Sequence, residues 1–249
     1  MLQIISKDKQ ANGNFNNGKI LEKKPIGFPH DGGMIKPYSN LFYWAHAWTP
    51  GEKSTIGLHP HQGFEICSFV LSGYINHFDT KLNKWIKLEK GSVQVIKSGS
   101  GISHSEEIGE DSSIFQIWFD PNIALSITNE AEYSDYNVDI FPTFSNPDFD
   151  KKIIKGQNST LNLLSENILI NEYNFKSSSI KIDLKVNSYH SWFILAGSAF
   201  INDKPIKKGD FLIIKNQDIV EIVEIDKLVV FEIISPIKLS YKSYFEWFS

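Results

Sequence analysis

The stretch Phe193–Asn216, "FILAGSAFINDKPIKKGDFLIIKN", decides the fold, because an earlier part of the chain repeats its plan. Residues 69–79, "FVLSGYINHFD", and 88–99, "LEKGSVQVIKSG", give the same order: an apolar strand, a glycine turn, a further strand, then Lys-Gly and another apolar strand. Gly73 and Gly91 match Gly197 and Gly209, with a shorter segment between the glycines of the second copy. A duplication of this length predicts two related β domains in tandem. The prolines, asparagines and charges of "YNVDIFPTFSNPDFDKKIIKGQNST" (136–160) mark the connection, so the domains are expected at 1–135 and 136–249.

Elsewhere the apolar segments are short, rich in Ile, Val, Phe and Tyr, and interrupted by Gly, Asn, Asp or Pro. That composition predicts a mainly β chain. In "SIKIDLKV", Ile180, Ile182, Leu184 and Val186 alternate with polar residues, the pattern of a half-buried strand. Helix is expected only locally, around "NIALSITNEAEYS" (122–134) and at the C-terminal "SYKSYFEWFS" (240–249).

Composition limits the functions available. The 249 residues are 41% hydrophobic and carry a formal charge of −4 without a basic stripe, which argues against direct nucleic acid binding and for small ligands or protein partners. No segment reaches the ~18 apolar residues of a membrane span, and the N-terminus lacks a secretory pattern, so a cytoplasmic protein without membrane contact is expected. A single cysteine, Cys67, excludes an intramolecular disulfide or a cysteine-based zinc site, and within its apolar strand it reads as a small hydrophobe. No nucleophile elbow, P-loop or dinucleotide fingerprint occurs.

The chemistry concentrates in the first copy. In an extended strand, residues i and i+2 share a face, so His59 and His61 of "GLHPHQGFE" (57–65) approach one ion together. His104 and Glu106 form a second pair with the same spacing, after the glycine-rich turn of "KSGSGISHSEE". Three imidazoles and one carboxylate suit Fe(II), Mn, Ni, Cu or Zn and leave positions open for substrate. Alignment of the two copies puts Asp183 and Lys185 opposite His59 and His61, and Ile222 and Glu224 opposite His104 and Glu106. The ligand set is therefore expected in one half.

"HPHQGFEICSFVLSGYINHFD", "GSVQVIKSGSGISHSEE" and "FQIWFDP" resemble the pirin family of the cupin superfamily, densely over residues 40–122 and faintly beyond. The resemblance implies two tandem cupin barrels, that is, double-stranded β-helix or jelly-roll folds. The N-terminal one would bind metal and the C-terminal one would be degenerate, without ligands. By position, the family's ligands fall on His59, His61, His104 and Glu106. The chain departs from the general cupin pattern at Lys97, where proline is common, and keeps Glu65 in the usual glutamate slot. Glu65 is expected to orient an imidazole or to face solvent near the rim, and Glu107 to face solvent from the opposite side. His77 is read as hydrogen-bonded rather than ligating. His30, His46 and His190 have no partner at chelating spacing and are read as structural or surface residues.

Two activities follow from the resemblance. One is a quercetin 2,3-dioxygenase-type oxidoreductase, or quercetinase, acting with O2 on a flavonol-like chelating molecule through one divalent metal. Fe2+ is expected first, with Ni, Cu, Mn and Zn as alternatives, and Glu106 serves as catalytic general base. The other is a metal- or redox-sensing regulatory protein that binds a protein partner without turnover.

Overall fold

The computed structural model describes residues 1–247. Among these the chain is mainly β, with α-helix in single turns at Ile123–Ser126 and Tyr244–Trp247 and short 3-10 turns at Lys7–Lys9, Asn16–Gly18, Pro29–Asp31 and Val138–Ile140. The expected helix over 122–134 is limited to the first of these, because Glu132–Tyr136 instead pairs antiparallel with Val93–Lys97 at a sheet edge. Of the expected C-terminal helix, one turn is present, and positions 248 and 249 lie outside the described residues. No helix among the described residues is long and apolar enough to cross a membrane.

The chain forms two compact units, each a cupin barrel. One holds Gln10–Val138, Leu163–Ser165 and the chain from Leu239, and the other holds Met1–Lys9, Asp139–Asn162 and Glu166–Lys238. The change at Val138/Asp139 lies near the expected 135/136 boundary, yet a single cut does not describe the units. Leu2–Ile5 pairs antiparallel with Phe211–Lys215, which takes the N-terminus into the second half. Leu164 and Ser165 donate to Glu65, and Tyr241 and Tyr244 donate to Asp120, which tie later segments into the first.

In the first unit two sheets face each other. One runs Glu132–Tyr136, Val93–Lys97, Glu65–Ser72, Ser113–Phe119, Leu41–Trp48, Ile20–Ile26, Ala11–Phe15. The other runs Ser54–His61, Ile102–Ile108, Tyr74–Asp79, Trp85–Glu89. Ile20, Ala47, Val70, Ile75, Leu88, Ile108 and Ile114 pack between them at one end, so the polar residues of the interior gather at the other.

The repeat is structural as well as sequential. Phe69 faces Phe115 across its strand pair, and Phe193 faces Phe231 in the second unit. Gly73 (φ 65°) and Gly197 (φ 75°) both adopt the left-handed conformation. A Cβ would lie 2.0 Å from Ser112 Oγ at the first and 2.2 Å from the Asp226 carbonyl oxygen at the second, so no larger residue fits either turn.

The barrel interiors then diverge. Ser68, next to Phe69, is matched by Trp192, and Gln116, the partner of Ser68, by Glu232, the partner of Trp192. Trp192 packs with Ile182, Leu184, Ile194, Ile201, Leu212, Ile214 and Ile222 in a continuous apolar core. Asp183 and Lys185 are exposed, so the inward residues there are Ile182 and Leu184, one position off the sequence alignment. The strand expected through Val186 ends at Asp183, and Val186 is exposed ahead of the positive-φ Asn187.

Candidate metal centre

His59 and His61 lie at the end of Ser54–His61, and the strand's alternation turns Leu58 and Pro60 to solvent while both histidines are half-buried. Ile102–Ile108 pairs with this strand, with His104 opposite His59 and Ile102 opposite His61. A β-bulge between His104 and Glu106 shifts the register so that Glu106 faces Ile56. Both His104 and Glu106 are fully buried.

The three imidazoles converge through one type of atom. His104 Nε2 lies 2.9 Å from His61 Nε2 and 3.0 Å from His59 Nε2. His59 donates Nδ1–H to the Gly57 carbonyl at 2.8 Å, which fixes its tautomer and leaves Nε2 as a lone pair facing the cluster. Burial first, then the neighbouring His104 and His59, push the His61 pKa down to about 3 against the pull of Glu106. Burial, then His59 and His77, push His104 down to about 3 against Asp79. Imidazoles that stay neutral while their nitrogens crowd one point have the chemistry of a metal-binding set.

Glu106 groups by distance with His77 and His104 rather than with the outer pair. Its Oε1 accepts from Ser68 Oγ at 2.8 Å, and its Oε2 accepts from Gln116 Nε2. Gln116 Oε1 in turn accepts from the Trp118 indole at 3.3 Å. Trp118 stands beside His61 and lines a cavity of about 340 Å³ together with Phe28, Phe42, Phe64 and Tyr244.

Several other expectations resolve differently. Glu65 is fully buried and neither orients an imidazole nor faces solvent. Its carboxylate accepts from Leu164 N (2.6 Å), Ser165 N (2.9 Å) and Ser165 Oγ (2.6 Å), because in its strand it lies three positions before Ser68 and so faces away from the interior that Ser68 enters. Glu107 does turn away from the cluster but is half-buried, held by Asn76 at 2.7 Å and Lys53 at 3.2 Å. His77 is hydrogen-bonded, to Asp79 at 2.8 Å, and also stands within the Glu106 group. His30 is exposed, while His46 packs on Trp48 and Phe115. His190 is buried and bonded to Glu232. Ser68, Gln116, Trp118 and Asp79 escaped the sequence reading. The Gln-x-Trp and His-x-Asp spacings carry the same i, i+2 signal that singled out the histidines.

A family model described as Pirin matches residues 24–119. A Zymomonas mobilis protein provisionally named quercetin 2,3-dioxygenase is 44% identical over 68 residues, 26% of this chain and 28% of that protein. The Escherichia coli K12 quercetin 2,3-dioxygenase is 38% identical over 68 residues, 26% of this chain and 29% of its own length. The chain thus spans under a third of the length of these curated relatives. Over nearly the whole fold it is similar to the crystal structure of the bacterial pirin YhhW from Escherichia coli in complex with nickel(II). That likeness has a TM-score of 0.77 and 17% identity, covering 95% of this chain and 99% of the other. The matched segment and this structural likeness agree: residues 24–119 carry a Pirin-type segment, and the chain has the mainly β, repeated cupin fold of the bacterial pirins.

Proposed function

We propose that the chain is a metal-dependent dioxygenase of the quercetin 2,3-dioxygenase type, acting on a flat, metal-chelating aromatic molecule such as a flavonol. One divalent transition metal, Fe2+ in the working protein, is held by His59, His61 and His104 with Glu106 as the carboxylate of the set. The observation that carries the reading is the meeting of three imidazoles, with His104 Nε2 at 2.9 Å from His61 Nε2 and 3.0 Å from His59 Nε2, beside an aromatic-walled cavity. Such a cavity falls within the range of small-molecule sites, and its rings offer stacking surface to a planar ligand.

When bound, the metal supplies Lewis acidity and a template for substrate oxygens and O2. The chain's own residues do the rest. Trp118, Phe42 and Phe64 exclude water and orient the ring system. Glu106, aligned by Ser68 and Gln116, takes the substrate's hydroxyl proton on a carboxylate oxygen. The test is purification under anaerobic conditions, metal analysis, iron loading, and oxygen uptake with a panel of flavonols and catechols. Substrate-dependent uptake by the iron form supports the reading. Absence of uptake across the panel shifts it to the metal-sensing regulatory protein.

A further inference from the structure

Two short segments wall the aromatic cavity beside Phe42, Phe64 and Trp118: one brings Phe28, Pro29 and His30, the other Tyr244 and Phe245. They are held in different ways. Asp31 closes the first, accepting from Phe28 N at 2.8 Å through Oδ2 and from the Lys24 ammonium at 3.1 Å through Oδ1. The Lys24 and Asp31 side chains are largely buried, and Tyr43 stacks on Phe28 with centroids 4.7 Å apart. With both carboxylate oxygens served, this wall is fixed to the sheet.

The second wall is a self-contained turn. Ser243 N and Oγ both donate to Glu246 Oε2 at 2.8 Å, and the Trp247 indole donates to the Lys242 carbonyl at 2.9 Å. These bonds lie within Lys242–Trp247 and survive its release from the barrel. Its seat is Asp120, whose Oδ2 accepts from Tyr244 N and whose backbone carbonyl accepts from the Tyr241 hydroxyl. Asp120 Oδ1, in contrast to the oxygens of Asp31, is buried with no hydrogen-bond partner among the described residues. A buried carboxylate served on one side is costly, and the like charge of Glu246 on the same turn adds to the cost. Release of the turn returns Asp120 to water, so the group that seats this wall also opposes its closure. Tyr244 is 38% exposed and meets Phe42 and Phe64 edge-on at 5.7 and 5.3 Å, which puts it between the cavity and solvent. At about 340 Å³ the cavity is near the lower end of the ~300–1,000 Å³ range of small-molecule sites, so a three-ring ligand fills it and enters past a wall that yields.

We infer that Lys242–Trp247 is a strap that opens to admit a flat aromatic ligand and closes Tyr244 over it, with Asp120 as its latch. The inference rests on the reading of the cavity as the ligand site. Tyr244 touches the ligand, and Asp120 is a positioning residue that acts through it.

The experiment uses the full chain loaded with Zn2+, which has no redox chemistry, and quercetin as the probe. Hydrogen exchange over residues 239–247, read by mass spectrometry, reports opening without any ligand, and stopped-flow absorbance gives the association and dissociation rate constants. The strap should exchange about 10-fold or more faster than Leu41–Trp48 and slow down when quercetin binds. Asp120→Asn keeps an acceptor for Tyr244 N and removes the charge that opposes closure. Strap exchange and both quercetin rate constants should then fall together by about 10-fold, with Kd little changed, since each unit of raised pKa that is relieved is worth a factor of about ten. Tyr244→Ala should raise the dissociation rate by about 10-fold without slowing association. Metal content equal to wild type shows that both variants are folded. A strap that exchanges as slowly as Leu41–Trp48 overturns the inference and leaves the ligand site standing. So does Asp120→Asn with wild-type rates, or with a change in dissociation alone, either of which marks a fixed wall. No saturable binding of quercetin to wild type overturns the cavity as the ligand site, and the role of the strap with it.

Discussion

Trp118 stands edge-on to His61, with ring centroids 4.8 Å apart and planes at 88°, and the same indole lines the aromatic cavity. It thereby joins a ring that faces the candidate metal to the surface that would hold a flat ligand. Truncation of a packed aromatic at a binding surface commonly costs 2 kcal/mol or more, about 30-fold in affinity. Trp118→Ala should therefore raise the Kd for a flavonol by roughly 10- to 100-fold while metal content stays near wild type. Calorimetry with the metal-loaded protein and parallel metal analysis check this. A matching loss of metal would assign Trp118 to support of His61 instead of to the ligand.

Glu106 separates proton transfer from metal retention. Glu106→Gln keeps the shape and can accept from Ser68 or Gln116 through its carbonyl, but it no longer takes a proton. General-base catalysis contributes about 10²- to 10⁴-fold, so turnover per bound metal should fall by that order. Oxygen uptake normalised to metal content is the readout. Proportional loss of metal and turnover would show that Glu106 acts only as a ligand.

Gln116 reaches Glu106 from the opposite sheet, and Ser68 pairs with Gln116 across neighbouring strands. Gln116→Leu leaves Oε2 without this donor and Trp118 Nε1 without its acceptor. Loss of such a supporting contact typically lowers metal affinity 10- to 100-fold, and a competition titration with a chromophoric chelator should show a drop of that order. An unchanged affinity would mean that Ser68 alone suffices.

The elements that strand parity governs were legible in the sequence. His59 with His61 needed only the two-residue period of a strand, and the paired glycines marked the repeat that names the fold, whereas the β-bulge between His104 and Glu106, and the grouping of Glu106 with His77, have no such local signal. What stayed hidden depends on which strands lie across the barrel. Nothing local to Glu65 announces that Leu164 and Ser165, about a hundred positions later, supply its hydrogen bonds. Nothing local to Leu2–Ile5 shows that it extends a sheet made by the second half. The alignment placed Asp183 and Lys185 in the second interior because sequence spacing does not reveal a one-residue offset, and that offset exchanges the faces of a strand.

In the second unit, the space that Ser68 leaves open in the first is filled by Trp192, whose Nε1 donates to Glu232 Oε1 at 2.8 Å. His190 and Asn171 complete the carboxylate's contacts at 2.7 and 2.8 Å. Trp192→Ala removes this core and leaves Glu232 short of a donor, a loss of about 3–5 kcal/mol for truncation of a large buried aromatic. Denaturation followed by tryptophan fluorescence and circular dichroism should show one unfolding transition moved to lower denaturant, with bound metal in the native protein unchanged. Loss of metal in parallel would tie the candidate centre to this core.

Asp120 gives the first unit a pH dependence of defined sign. It is almost fully buried, its Oδ2 accepts from the Tyr244 backbone N–H, and its backbone carbonyl accepts from Tyr241. Burial pushes its pKa up from 3.8 to about 6, with the backbone donors pulling the other way and Glu246 adding to the rise. The folded pKa is therefore above the unfolded one, and the native state binds more protons between these values. Stability from this group is fully present below about pH 4 and is lost as pH rises through about 6. The total is on the order of 2–3 kcal/mol, since one pKa unit corresponds to about 1.4 kcal/mol. Asp120→Asn removes the titration while its side-chain oxygen still accepts from Tyr244. Its stability relative to wild type should rise between about pH 4 and about pH 7.5, as read from urea denaturation at both values. The difference between the two proteins cancels the titration of every other group. A difference that stays flat with pH would show that Asp120 is as well solvated in the folded chain as in the unfolded one.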